Sequence, residues 1–458
     1  MQERYAMWRY LAGAGAARTG DEMSGPALLL AGLAITGSAS LASSLLAGIM
    51  ISAAVGGPVF GVLLDRSARP GRLLTLALAG YALALAVILL SLGRLPLGFS
   101  VLIAVLAGLL GPALSGGWTS QLPRAVPRHA LPRANAFDAM TFNLAGLVGP
   151  ALAGVIAGLF GAPASVIASI ALIFLALPWA WTLPAASTAR SAGVHMMPVR
   201  SAASPVPAAS AVPVASAERP ASAERPVSAD RPGSAGRPGS AERPGSAGRP
   251  GSAARAGSAA ADLVAGFRAI VRSRPLARAT ITSVISCAGE GMLIACSPLI
   301  GERMLGGADR GAIVLSGMAA SALAANTVLS RYPRLFRPET IIWCSTVVLA
   351  TALLLAAASQ PTLLIPAVVM AGAAEGTQLT ALFAVRHREA PEHLRGRIFT
   401  TGASLKITGF ACGAAVAGPI ATWSLPGALA AAAGVEILAA LTFAAITVTT
   451  SHAGARAA

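Results

Sequence analysis

Twelve stretches of this 458-residue sequence stay apolar for about the length that crosses a hydrocarbon core. They occupy residues 8–33, 40–63, 73–93, 97–120, 135–160, 163–183, 276–299, 311–329, 339–358, 362–385, 398–422 and 426–449. A chain that is 55% hydrophobic and 11% charged, with a mean hydropathy of +0.69, carries more apolar surface than one water-soluble core can hide. The fold class expected is an all-α polytopic membrane protein with twelve transmembrane helices.

The connections alternate in character, and the alternation orients the chain. Stretches at Asp65 to Arg72, Arg124 to Arg133, Arg331 to Arg337 and Arg386 to Arg397 are rich in arginine, whereas "TGSAS", "FGAP", "SQPT" and "WSLPG" carry no charge. Short basic loops stay on the cytoplasmic side, so both termini and the long central loop are expected there. The mixed-sign connection "GERMLGGADR" and Arg94 fall outside on this scheme without outweighing the trend. The formal charge of +16 thus reads as a set of topology signals, not as a footprint for nucleic acid. Lys406 is the sole lysine among 34 basic residues, a bias that reads as GC-rich bacterial coding and points to a bacterial inner membrane.

Between the sixth and seventh runs lies a repeat of Ser-Ala-x-Arg-Pro-x. With fixed proline angles, permissive glycines and little apolar matter to bury, residues 184–261 are expected to be a disordered cytoplasmic linker. It separates an N-terminal bundle, residues 1–183, from a C-terminal bundle, residues 262–458. At the start of the second, Leu263, Phe267, Ile270 and Val271 are spaced for a short helix at the membrane interface. The four cysteines lie in apolar runs without metal or disulfide spacing, and no removable signal peptide precedes the first run. No glycine-lysine phosphate loop and no HExxH pattern is present, so neither an enzyme nor an ATP-driven pump is expected, nor a metal or other cofactor.

The two halves repeat one another. "VPRHALPRANAFDAMTFNLAGLVGPALAG" superimposes on "APEHLRGRIFTTGASLKITGFACGAAVAG" at an offset of 264, and "DRSARPGR" on "SRYPRLFR" at 265. Two six-helix bundles related by a pseudo-two-fold axis along the membrane normal are an architecture of secondary transporters. At an offset of 269, Gly20, Asp21 and Met23 fall on Gly289, Glu290 and Met292, which places Asp21 at membrane depth.

Ionisable groups at that depth are costly unless paired or wetted, and commonly line pathways. Arg18, Asp21 and Glu22 share one helix face, where a local ion pair is sterically possible. A carboxylate that loses and regains its arginine partner as helices rock would release and take up a proton. The coupling candidates are therefore Arg18, Asp21, Glu22, Glu290 and Glu375. Ser283, Ser286 and Ser297 form a polar stripe with Glu290 on the seventh helix, and Gln378 lies three residues from Glu375; these four are candidate cavity-lining residues. Lys406 shares a face with Gly402, Gly409 and Gly413, a packing surface from which its stem could reach the cytoplasm.

These features resemble the major facilitator superfamily over nearly the whole chain apart from the linker. "GVLLDRSARPGR", with Gly61, Asp65, Arg66 and Arg69, resembles the family signature between helices two and three, and "GLVGPALAG", with Gly149 and Pro150, is similar to the fifth-helix motif of its proton-driven exporters. The resemblance implies the major facilitator fold, with the first signature stabilising the outward-facing state. Physically, Gly61 admits a close neighbour, Asp65 can meet the positive start of a helix or an arginine, and Gly149-Pro150 can loosen helix five. These six residues are the candidates for conformational gating. The fourth helix lacks the membrane arginine of a third family motif, so that residue's role does not carry over.

The expected function is proton-coupled efflux of small amphipathic molecules by alternating access. The expected partners are substrate, protons and the lipid bilayer, with the protein acting as a monomer. Import of a nutrient or metabolite, and a non-transporting membrane sensor or assembly partner, are the alternatives.

Overall fold

A computed structural model describes residues 2–37, 39–184, 264–307, 310–333 and 336–455. The linker expected beyond Pro184, with its Arg-Pro repeat, lies outside the described residues.

The described residues form one helical unit built from twelve long helices. In the first half these are α1 (Gln2–Thr36), α2 (Ala39–Arg66), α3 (Pro70–Ser91), α4 (Leu97–Gly108), α5 (Leu131–Phe160) and α6 (Ala162–Trp181). In the second they are α7 (Arg274–Ile300), α8 (Gly311–Arg331), α9 (Pro338–Ala357), α10 (Pro361–Glu389), α11 (Arg395–Trp423) and α12 (Leu425–Ala455). Helices dominate because lipid offers the backbone no partners, and each helix satisfies its own amides.

Eleven helical segments among the described residues are long and apolar enough to span a membrane. The first helix has the length but not the hydropathy, because Arg18, Asp21 and Glu22 interrupt it midway. It nevertheless packs along α6, α5 and α2, with Ala14, Ala17, Met23, Ala27, Leu28 and Ala31 in the core of its half. Arg18 is buried in protein and Asp21 partly so, which offsets much of the cost of charges at this depth.

The helices run longer than the apolar stretches. α10 continues through Arg386, His387, Arg388 and Glu389, residues expected in a loop, because Arg386 and His387 turn inward and are buried. α4 gives way after Gly108 to a π-helical turn, Ala113–Gly117, where Gly116 abuts the Phe399 backbone of α11. The helix over residues 264–272 turns Ile270 against Leu276, Ala390 and Ile398 while Phe267 and Val271 stay exposed, so the expected single apolar face is split.

Packing repeats between halves as the sequence does. A methyl added at Gly108 of α4 would overlap the Ile49 carbonyl and Ser52 hydroxyl of α2; one at Gly372 of α10 would overlap Met318 and Ser321 of α8 in the same manner. Gly108 and Gly372 differ by 264 positions, and both Ile49/Met318 and Ser52/Ser321 by 269. Small residues at these crossings let backbones approach, where packing rather than water drives association.

Candidate functional site

Arg18 does not pair with its helical neighbours. Its guanidinium crosses to α5, donating to Asp138 Oδ1 at 2.8 Å and to the Asp138 carbonyl at 3.0 Å, with further bonds to Thr141 and, at 2.8 Å, Thr119. Thr119 donates to Asp138 Oδ2 at 2.9 Å and Tyr10 to Oδ1 at 3.0 Å, while Phe142 lies 3.7 Å beneath the guanidinium carbon. Both members of the pair are occluded, at 2% and 0% exposure. The expected local pair with Asp21 or Glu22 is thereby corrected: a carboxylate from another helix supplies better geometry than neighbours on the same cylinder. Asp138 was legible as a charge inside the fifth apolar run, but no spacing rule linked it to a residue 120 positions away.

With Arg18 engaged elsewhere, Asp21 and Glu22 are left facing inward. Asp21 is bonded by Tyr81 of α3, whose hydroxyl also meets Ser24 at 2.9 Å, and Ser24 donates to the Asp21 carbonyl at 2.7 Å. Glu22 is solvent-exposed in this structure. Gly149 of α5 fixes its position: a methyl there would sit 2.8 Å from Glu22 Cβ and 2.9 Å from the Met23 amide. Gly146 and Gly154 of the same motif face open space, and α5 passes through Pro150 unbroken.

The second half presents Glu290 of α7 and Glu375 of α10, both partly exposed and within electrostatic range of one another. Glu22 is within electrostatic range of Asp21 and, across the two halves, of Glu290. Cys287 donates to Glu290 at 3.4 Å, and Lys406 lies within electrostatic range of Glu375 and Cys287. Lys406 therefore turns toward the carboxylates, while Gly409 and Gly413 of its helix press on the Val284 and Ala288 carbonyls of α7.

A third carboxylate of this half, Glu436 of α12, was missed. It is 0% exposed, accepts a hydrogen bond from Ser286 at 3.0 Å, and leaves its second oxygen without a partner among the described residues. Gln378 donates to Ser286 at 3.1 Å. The stripe expected to line a cavity is thus turned into protein: Ser286 and Gln378 serve Glu436, Ser297 bonds the Ile294 carbonyl of its own helix, and Ser283 is buried. The physical reason is that α12 brings an acid to the back of α7. A lone glutamate in the twelfth apolar run was the available signal.

At the arginine-rich end the halves are clasped together. Asp65, in the last turn of α2, accepts from the backbone amides of Gly396 and Arg397 at 2.7 and 3.0 Å, and lies 3.4 Å from the Arg397 Nε. These amides open α11, where unpaired donors and the helix dipole favour an anion. Gly61, one turn back, sits where a side chain would overlap Thr400 and Arg397, and Ser404 bridges the α2 backbone at Ala53 and Gly57. Arg66, the last residue of α2, and Arg69, on the following loop, stay exposed.

A second contact, absent from the expected set, joins α10 to α5 and to the segment just after the π-helical turn. His387 bonds Asn135 at 2.9 Å through Nδ1 and the Thr119 carbonyl at 3.1 Å through Nε2. The Thr119 carbonyl only accepts, so Nε2 donates to it. Phe142, Phe383 and Phe399 stack in sequence beside it, at 5.6 and 6.1 Å, forming an apolar plug across both halves. No group of three or more His, Cys, Asp or Glu suited to a metal ion occurs among the described residues.

A family model described as Major Facilitator Superfamily matches residues 10–338. No curated protein sequence matches significantly. Among solved structures, the chain is similar to the human organic anion transporter TETRAN, with a TM-score of 0.68 and 12% identity over 97% of this chain and 100% of the other. It is also similar to the E. coli fucose:proton symporter, with a TM-score of 0.64 and 10% identity over 97% and 99% of the two chains. A bacterial homologue of the iron transporter ferroportin, in an outward-facing state, gives a TM-score of 0.66 and 12% identity over 96% and 99%. At these identities the likeness is one of fold.

Proposed function

The chain belongs to the Major Facilitator Superfamily, and from that premise we propose that it exports small amphipathic molecules across a bacterial inner membrane in exchange for protons. The observation that carries the reading is a series of carboxylates on the spanning helices of both halves, all at least partly solvent-accessible, with Glu22 in electrostatic range of Asp21 and Glu290, and Glu290 in range of Glu375.

Like charges on opposite halves oppose closure of the space between them. At an effective dielectric constant of about 20, close like charges repel by on the order of a few kcal/mol, enough to bias a two-state equilibrium. Protonation removes that repulsion and lets the halves approach on the side facing the proton source. The Asp65 and His387 contacts then give way at the arginine-rich end, where the proton leaves and substrate enters. Asp21, Glu22, Glu290 and Glu375 against the single Lys406 leave the space net acidic, which favours amphipathic cations. The Arg18–Asp138 pair, fully enclosed, supports the wall and takes no proton in this scheme.

The test is transport by the purified protein in liposomes, with an acid interior and a panel of cationic, neutral and anionic amphiphiles outside. The reading predicts uptake of cations that collapses with the pH gradient. Flux of anions only, or flux indifferent to the gradient, would overturn it. A requirement for a second protein would favour the sensor or assembly role.

A further inference from the structure

At the arginine-rich end of the second half, the starts of α7 and α9 and the ends of α10 and α12 enclose an open cavity of about 670 Å³. Its walls include Arg278, Arg337, Arg388, Glu339, Trp343 and Phe443. None of these belongs to the acidic space between the halves or to the α2–α11 and α10–α5 contacts.

The charges in the walls are unevenly used. Arg388 bonds both Glu339 and Glu389, the latter at 2.8 Å, so the two carboxylates are satisfied by one arginine. Arg278 lies 4.5 Å over the Phe443 ring and donates to Thr447 at 2.9 Å. Arg337 is exposed and has no ion-pair partner among the described residues. It occupies the N-cap position of α9 without capping the helix through its side chain. Two guanidinium groups therefore remain for an anion, with the start of α9 adding its positive end. Trp343, 43% exposed, stands one turn further into the membrane, at the depth where indole rings settle.

The geometry points to a binding site for an anionic phosphodiester, and by its place at the membrane boundary for the headgroup of an anionic phospholipid in the leaflet on the arginine-rich side. Arg278 and Arg337 grip the phosphate, Phe443 and Trp343 line the path of the acyl chains, and the paired carboxylates leave no free acid for an ammonium headgroup. A basic pocket between transmembrane helices on the cytoplasmic side is a setting that selects such lipids.

The experiment uses the full chain, purified and stripped of lipid, with binding read by native mass spectrometry and by thermal unfolding. The added probes are phosphatidylglycerol, phosphatidylethanolamine, phosphatidylcholine, and inorganic phosphate or glycerol phosphate alone. Phosphatidylglycerol should be retained and stabilise the wild type most. Arg337→Gln, at an exposed position, should weaken that retention by about fivefold and Arg278→Gln/Arg337→Gln by about thirtyfold, whereas Arg268→Gln/Arg272→Gln, which removes equal charge nearby, should not. Equal weakening by both double variants would overturn the site in favour of diffuse attraction. Stabilisation by inorganic phosphate or glycerol phosphate equal to that by the lipid would overturn the lipid assignment in favour of a soluble phosphate.

Discussion

Asp65 meets Arg397 twice, accepting its backbone amide at 3.0 Å and facing its Nε at 3.4 Å, so a carboxylate of the first half caps the opening helical turn of α11 in the second. On the alternating-access reading proposed above, this contact holds the arginine-rich end shut. Helix capping by an acidic side chain is worth about 0.5–2 kcal/mol, on the scale of the bias between two conformations of a transporter.

Asp65→Ala is therefore expected to populate the form open at the arginine-rich end by about tenfold more, without unfolding the protein. Maleimide labelling of single cysteines at position 383 or 399 in the plug reports this opening. Unchanged labelling would show that the α2–α11 cap contributes nothing to the equilibrium.

Gly61 tests the same interface by volume. A methyl at this position overlaps Thr400 and Arg397, so Gly61→Ala should hold α2 and α11 apart and raise the same labelling. Gly154→Ala, in open space on α5, should leave it unchanged.

The Arg18–Asp138 pair is enclosed, and removing one member strands the other. Arg18→Ala or Asp138→Ala should destabilise the protein by about 3–5 kcal/mol. Arg18→Met/Asp138→Leu, which removes both charges, should recover most of the loss. Thermal unfolding in a fixed detergent provides the measurement.

Ser286 is the hinge of a second buried network, bonding both Glu436 and Gln378. Ser286→Ala leaves those two groups short of a partner at a cost of about 1–3 kcal/mol, read in the same unfolding assay. Ser297→Ala, whose hydroxyl bonds only its own helix, should cost much less.

The twelve-helix layout was legible because membrane thickness fixes run length, and the internal repeat carries into matching helix crossings at Gly108 and Gly372. The site was less so. Arg18 and Asp138 are neighbours only after six helices close into a bundle, whereas spacing along one helix favours Asp21 or Glu22. His387 sits in an arginine-rich stretch that resembles a solvated loop, and only its burial against Asn135 and Thr119 reveals a clasp. The serine stripe of α7 marked a polar face correctly, but one sequence cannot say whether such a face meets water or a glutamate on α12.

The central claim is that carboxylates from both halves share one proton-responsive space. Its most direct test is substrate accumulation in liposomes driven by a pH gradient, comparing wild type with Glu22→Gln and Glu290→Gln. The account predicts that both variants still exchange substrate down its own gradient but lose accumulation against it. Full proton-driven accumulation by both would contradict the account.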